Sequence, residues 1–598
     1  MKDSVVIIGG GIAGMSAAHE LIDRGFKVTV LEKHPALPGG KARSVLTDKI
    51  DPLKEDQKGL PGEHGFRFFP GFYRHIIDVM QRTPFVDPST QQPNTNGVAD
   101  NLIEAPKMML TRQDKEPIRL PSGYPKSWSD VQLIIKAIFN TDTGLEEGEP
   151  RKILLKIWQL MTSSRARRLG EYEHIGWWDY CEADVHSEDY RKLFVDGLTR
   201  TLVAAKAKSA NTFTNGNILL QMIFSMTKKH EVNDRILNGP TNETWLFPWL
   251  EYLKQKGVDY HFNTVVESLE EKSGSVSAVI ASCNGETLRF ESDYYLCALP
   301  VEQAAKVILG STLPKFDPRL ELLRTLQHHV AWMNGIQFFL KEDVKINEGH
   351  IIMADSPWAI TAISQAQFWN HFDWSDHWDG SVNGVLSIDV SDWDAIGWKV
   401  QKMARNSTKG EVIDEVWHQI KININYQEEV LKDENVAGVY VDEAIIFDMG
   451  FLSNKKNESF EDPILNEPIK YGSNKSNQNE EPLLVNQVHS WSMRPEARTA
   501  IPNFFLASDY VRTETNLATM EAANEAARKA VNNLLETAKS NQKPCQLWAF
   551  EEPNWLLYYK WLDHRRYIKG LPWQVPKIKW YALPFSWLLR LIGNHKHL

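Results

Sequence analysis

Residues Val5 to Glu32 constrain the fold more than any other stretch of this chain. They read VVIIGGGIAGMSAAHELIDRGFKVTVLE: an apolar strand, a glycine turn, a helix, and a second strand ending in an acid. In Gly9-x-Gly11-x-x-Gly14 each glycine sits where it has a physical task. Gly9 permits the tight exit from the strand, Gly11 lets backbone approach a pyrophosphate, and Gly14 lets the helix press on the strand. The helix aims its first amides, from Ile12 and Ala13 onward, and the positive end of its dipole at that anion. Glu32 stands 18 residues past Gly14, where a carboxylate can accept a hydrogen bond from an adenosine ribose, and Lys33 follows it. Three glycines alone say little. Between VVII and VTVLE they predict a dinucleotide-binding strand–helix–strand unit.

At 598 residues the chain exceeds one small core, so subdomains are expected. With 42% hydrophobic residues and a mean hydropathy of −0.38 it reads as globular and not as a multi-spanning membrane protein. A net charge of −10 gives no reason to expect nucleic acid. Cys181, Cys283, Cys297 and Cys545 are scattered without CxxC spacing, which disfavours a metal site and a disulfide framework. The chain enters Ser4–Ile8 with no signal peptide before it, so a cytoplasmic protein is expected.

The residues beyond Glu32 narrow the choice of dinucleotide. Gly39-Gly40-Lys41-Ala42-Arg43-Ser44 again brings backbone toward phosphate, and Arg43 offers a planar, permanently charged fork. This element resembles the extended FAD fingerprint of the amine oxidase and carotenoid desaturase superfamily. Near the other end, the strand Asn503-Phe504-Phe505-Leu506-Ala507 leads through Ser508-Asp509-Tyr510 to Asn516-Leu517-Ala518-Thr519-Met520-Glu521 and an alanine-rich helix. It resembles the closing motif of the same superfamily. That resemblance implies Asp509 on the ribityl or pyrophosphate side, and Thr519, Met520 and Glu521 toward the flavin ring. The superfamily usually carries glycine where Ser508 stands. Val266 matches the valine that gives its backbone to the adenine. Cys297, in the strand YYLCALP, reads as sheet core.

The segment Gly62-Glu63-His64-Gly65-Phe66-Arg67-Phe68-Phe69-Pro70-Gly71-Phe72-Tyr73 resembles the part of phytoene-desaturase-like and hydroxysqualene-dehydroxylase-like flavoenzymes that runs beneath the flavin. Gly65, Phe66, Arg67 and Phe68 are therefore expected against the cofactor, with Glu63, His64 and Arg67 as candidate catalytic groups. The alternative is that Arg67 and Glu63 only pair to hold the loop. Trp358, Gln365 and Trp369 could line the substrate pocket or pack as core.

The fold expected is α/β: a discontinuous Rossmann-like FAD-binding domain (1–100, 236–330, 483–540) with a mixed-sheet plus helical substrate domain (101–235, 331–452). Residues 453–482 read as a polar surface loop without chemistry. The function expected is an FAD-dependent oxidoreductase taking hydride from a hydrophobic isoprenoid or lipid-like substrate, in desaturation, dehydroxylation or isomerisation. A flavin amine oxidase and a non-catalytic, prenyl-binding escort-like protein are the rivals. In the tail, 541–598, the stretch from Asn554 onward carries eight lysines and arginines against the single acid Asp563, among several tryptophans. That composition suits docking on a membrane surface, or packing on the protein's own acidic body.

Overall fold

A computed structural model describes residues 3–48, 58–88, 90–126, 130, 144–197, 206–228, 232–370, 372–447, 476–577 and 584. At its centre the strand Ser4–Ile8 runs parallel to Lys27–Leu31 on one side and to Tyr294–Cys297 on the other. Asp259–His261 and Phe504–Leu506 complete a five-stranded parallel sheet. Such a sheet must be covered on both faces, which is why residues 5–8, Tyr294–Cys297 and Phe504–Leu506 are continuous apolar runs, while the edge strand Asp259–His261 is polar and partly exposed. The helix Ile12–Asp23 is buried from Ile12 to Leu21 and shows no exposed face in that span, its Ser16, His19 and Glu20 included. Two helices enclose it. Asn524 of Met520–Thr537 donates to Ser16 Oγ at 2.7 Å, and Trp249 of Phe247–Gln255 donates to His19 Nδ1 at 3.1 Å. An antiparallel meander, Val265–Lys272, Ser275–Cys283 and Glu286–Phe290, precedes Tyr294–Cys297.

A second, seven-stranded sheet has the order Val436–Val441, Asn334–Leu340, Gly384–Val390, Ile360–Ser364, Ile351–Met353, Lys107–Arg112, Lys115–Pro121. Its pairs are antiparallel except Ile351–Met353 with Lys107–Arg112, so the sheet is mixed. The chain thus has the mixed α/β architecture that its pattern predicted. Three central strands, Asn334–Leu340, Ile360–Ser364 and Gly384–Val390, are buried at every residue. The reason is that both faces are covered: the helix Lys409–Ile424 packs on one, and the other turns inward.

The helical insert between the sheets has its own core around Trp177, Tyr190, Leu160 and Leu220. ILLKIWQLM lies in the helix Glu149–Thr162, whereas WWDYCEA supplies only the short turn of helix Trp177–Tyr180. The helical expectation for GLTRTLVAAKAKSA falls largely on 198–205, outside the described residues. The early tail packs on this insert. In the helix Leu557–Tyr567, Asp563 accepts from Arg167 Nε at 2.8 Å and from the Ser164 amide at 2.9 Å. The polar loop also needs correction at its end. Its 453–475 part lies outside the described residues, but Gln478–Asn479 pairs with Ile445–Ile446 and Glu481 is buried.

Candidate functional site

A cavity of about 880 Å³ opens at the carboxyl ends of the parallel strands, the usual ligand side of such a sheet. Ile8 and Gly9, Leu31 and Glu32, Ala298 and Leu299, and Ser508 and Asp509 reach it from four different strands. Gly9 takes φ +101°, and a methyl group there would sit 3.1 Å from the Ala298 carbonyl oxygen. Gly11, Ile12 and Ala13 line the space. No side chain caps the helix at Gly11, so its first amides are left for a ligand. Gly11 also pairs with Gly39 in a parallel bridge, so two glycine turns form one wall. Gly14 does not reach the cavity. A methyl on it would lie 1.9 Å from the Gly9 oxygen, so its task is helix–strand packing.

Glu32 is buried and accepts from the Gly10 amide at 2.8 Å and the His34 amide at 2.7 Å. Burial raises its pKa, and those two amides only partly oppose the rise. Tyr260 closes the same corner by donating to the Gly10 carbonyl at 2.8 Å. Lys33 and Val266 also face the cavity.

The second glycine element contributes Gly40, Lys41 and Ala42 but not Arg43. Arg43 turns away to Glu481, at 2.9 Å, and to Glu443, at 3.1 Å. The guanidinium that does face the cavity is that of Arg67, which donates to the Ala42 and Lys41 carbonyls at 3.2 and 3.1 Å. Beside it, Lys41 Nζ stands 3.3 Å from Glu302, another lining residue. At the closing motif Asp509 reaches the cavity after Ser508, whose φ of +88° is the left-handed conformation that glycine adopts freely. Buried Arg494 fixes this loop by donating to the Asp509 carbonyl, and to that of Asn516 at 3.1 Å. Thr519 caps the following helix, and both it and Met520 face the space.

Glu521 does not. It accepts from the amides of Arg74, His75 and Ile76 and pairs with His75 Nδ1 at 2.7 Å. It thereby anchors the start of the helix His75–Arg82. Burial works against its charge, but His75 and those amides outweigh it and hold its pKa down.

The far half of the cavity is apolar. Phe66, Phe68, Met108, Met222, Met226 and Ile352 line it, with the helix Thr212–Met226 as one wall. Few polar groups break this surface. His64 faces it with Nδ1 2.6 Å from Asp442. His350 stands with Nδ1 2.6 Å from Asp234 and its ring about 5 Å from both Phe66 and Phe68. Among the described residues, His350 Nε2 and Asp389 Oδ1 are buried without a hydrogen-bond partner. Burial pushes Asp389 up to about 7, against the pull of Arg67, His64 and His350. Asp234 is likewise raised by burial, against His350.

Glu63 lies behind this surface. It accepts from the Thr241 amide and hydroxyl at 3.0 Å, and burial raises it to about 7 against Arg67, 3.9 Å away, and Thr241. It holds the loop, as the alternative reading of this segment allowed. Gly65 is also behind, and a methyl there would meet Asp389 Oδ1 at 2.4 Å. Trp358, Gln365 and Trp369 do not line the cavity. Trp358 belongs to the core under Lys409–Ile424 and donates to the Ala395 carbonyl, Gln365 accepts from Ser387, and Trp369 stacks on Trp374. The reading of sequence missed Asp234, His350, Asp389, Glu302 and Glu481. For Asp389 a signal existed: one acid in the otherwise uncharged strand GVLSIDV.

An uncapped helix start, two glycine turns, a strand-end carboxylate and a second helix start around one space suit a long, flat dinucleotide with two phosphates. These residues fit FAD. The chain matches the family model described as flavin containing amine oxidoreductase over residues 12–442. It is 24% identical over 313 residues to 15-cis-phytoene desaturase, chloroplastic/chromoplastic, of Capsicum annuum, covering 50% of this chain and 46% of that protein. It is also 24% identical over 315 residues to a probable zeta-carotene desaturase of Synechococcus elongatus, 50% of this chain and 58% of that one. The chain spans about half the length of these curated relatives. Among solved structures, wild-type putrescine oxidase bound to putrescine superposes with a TM-score of 0.56 at 12% identity, over 90% of this chain and 99% of that one.

Proposed function

The chain belongs to the flavin-containing amine oxidoreductase family and is an FAD-dependent oxidoreductase, and we propose that it acts on a hydrophobic isoprenoid or other lipid-like molecule. The observation that carries this reading is the continuity of the cavity, which runs from the glycine turns into walls of methionine, phenylalanine and isoleucine. Met side chains are flexible and polarisable, so such walls suit a long apolar ligand better than a small polar amine. The carotenoid desaturase relatives support the same substrate class.

In this reading Gly11, Ile12, Ala13 and Gly40 to Ala42 bind the phosphates, Glu32 the adenosine ribose and Val266 the adenine. Asp509, Thr519 and Met520 serve the flavin end. Bound there, FAD supplies a two-electron acceptor that takes hydride at N5. The chain's own residues do the rest. Phe66 and Phe68 exclude water and position the reacting carbon, and Arg67 is held as a fixed cation by backbone carbonyls. His350, oriented by Asp234, and Asp389 handle the proton that accompanies the hydride. Desaturation balances with these parts, hydride going to oxidised FAD and the proton to His350 or Asp389; isomerisation would return the hydride to the substrate, and dehydroxylation would require flavin supplied already reduced.

Anaerobic incubation of the holoenzyme with lipid extracts tests the proposal, following the flavin band and identifying the changed compound by mass. Bleaching by an apolar lipid is expected. Bleaching by amines alone, with peroxide formed in air, would replace it with amine oxidation, and a purified protein without colour would favour the escort-like rival.

A further inference from the structure

The helix Glu149–Thr162 and the tail segment after Tyr567 share one outer face. Leu154, Trp158 and Thr162 lie on one stripe of that helix, and Leu155 lies beside it. Trp158 stacks on Trp555 at 6.0 Å and meets Tyr559 edge-on. Further along, Trp573 donates to Thr162 Oγ1 at 3.1 Å and Arg167 donates to the Leu571 carbonyl at 2.8 Å. The tail is thus pinned across the end of the helix by its backbone and one indole, leaving its aliphatic side chains pointing out. Leu154 is 67% exposed, Ile568 66% and Val575 54%, with Leu155 and Leu571 also exposed.

Exposed cations stand beside these residues in the chain: Arg151 one turn before Leu154 and Leu155, Arg565 and Lys569 on either side of Ile568, and Lys577 two residues after Val575. Of the carboxylates in and around these segments, Asp563 is held by Arg167, Glu182 by Lys152 and Lys156, and Glu552 by Arg168, while Glu146 and Glu147 are exposed just before the helix. From His564 to Leu598 the sequence contains no acid at all. Among the described residues no helix is long and apolar enough to cross a membrane. Protruding aliphatic side chains flanked in the chain by lysine and arginine match the boundary between acyl chains and anionic headgroups. An ordinary protein partner would need carboxylates opposite the cations and a fitted groove for the leucines.

We infer that this composite face, helix Glu149–Thr162 together with Ile568, Leu571 and Val575, docks on an anionic lipid surface. The inner side of the same helix carries Leu160, which packs on Gly216 of the helix Thr212–Met226 that walls the cavity. Docking therefore sets the apolar compartment two helix layers from the bilayer.

The test is co-sedimentation of the full-length holoenzyme with vesicles of phosphatidylcholine, alone or with about 30% phosphatidylglycerol. Wild type sediments with the anionic vesicles, and salt near 0.5 M weakens the binding, by roughly the screening expected for exposed cations. The double variant Leu154→Asp with Leu571→Asp lowers partitioning about tenfold or more. Its unchanged flavin absorbance shows that the fold and the cofactor site are intact, which separates this inference from the flavin chemistry. Ile396→Asp, at an exposed aliphatic position elsewhere, binds as wild type does. Failure of wild type to sediment at low salt overturns the inference. So does equal sedimentation of wild type and the double variant, because neither Leu154 of the helix nor Leu571 of the tail would then meet lipid.

Discussion

The two halves of the cavity are built on different plans. The cofactor half is framed by backbone: glycine turns, helix starts and strand ends from four strands converge, among charged side chains that include Glu32, Lys33, Lys41, Arg67, Glu302, Lys306 and Asp509. The substrate half is made of side chains, with polar groups spaced sparsely in an apolar wall. Backbone sites depend on where a chain can bend, so they are fixed by glycine spacing and tolerate little change. Side-chain sites depend on which strand lies beside which, so their chemistry can change while the sheet stays the same.

The harshest way to break this contrast is within the backbone half. Gly14→Ala places a methyl 1.9 Å from the Gly9 oxygen, and should cost about 3 kcal/mol in urea unfolding and abolish flavin content. Gly11→Ala should behave differently. Its methyl would meet nothing nearer than 3.8 Å, so stability should stay within about 0.5 kcal/mol of wild type while flavin occupancy falls. Normal flavin loading in Gly11→Ala would show that this turn does not touch the cofactor.

In the side-chain half the order reverses. His350→Gln should slow flavin reduction by substrate about 100-fold in anaerobic stopped flow, with flavin content and fold retained. Full activity in that variant and in Asp389→Asn would mean that this half works by shape alone. The same carboxyl also leaves a mark on stability. Burial raises Asp389 from 3.8 to about 7, so the folded protein holds a proton in this window that the unfolded chain has released. Its contribution is complete below pH 3.8 and is lost as pH rises through 7. The stability of wild type relative to Asp389→Asn should therefore fall across that window, by on the order of 4 kcal/mol. The smallest effect is expected at Ser508→Gly. Relief of the φ +88° backbone should raise stability by about 1 kcal/mol in urea titration with no loss of flavin.

How far the sequence could be read obeys the same division. Gly9, Gly11, Glu32, Asp509 and Met520 were legible because each belongs to a short pattern whose spacing carries the geometry. Arg43 and Glu521 belong to the same patterns but point away. Their partners, Glu481 and the amides of Arg74 to Ile76, are hundreds of residues distant in the chain, and no local signal reports them. The site around Asp234, His350 and Asp389 exists only through the packing of one sheet on the Phe66–Phe68 loop. Trp358 and Trp369 show the converse: bulk and aromaticity are visible in a sequence, but the face they occupy is not. For the tail, composition flagged an unusual segment, while the pairing of Asp563 with Arg167 depended on tertiary contact.

The order of strands in the parallel sheet has a consequence for how the chain is made. Ser4–Ile8 emerges first, yet one neighbour, Tyr294–Cys297, and the edge strand Phe504–Leu506 come much later. At roughly 5–20 residues per second the interval to Phe504 is on the order of 25–100 s. For all that time a sticky apolar ribbon has no finished sheet to join. Coenzyme loading therefore has to wait until Asp509 and the helix start at Thr519 have been synthesised.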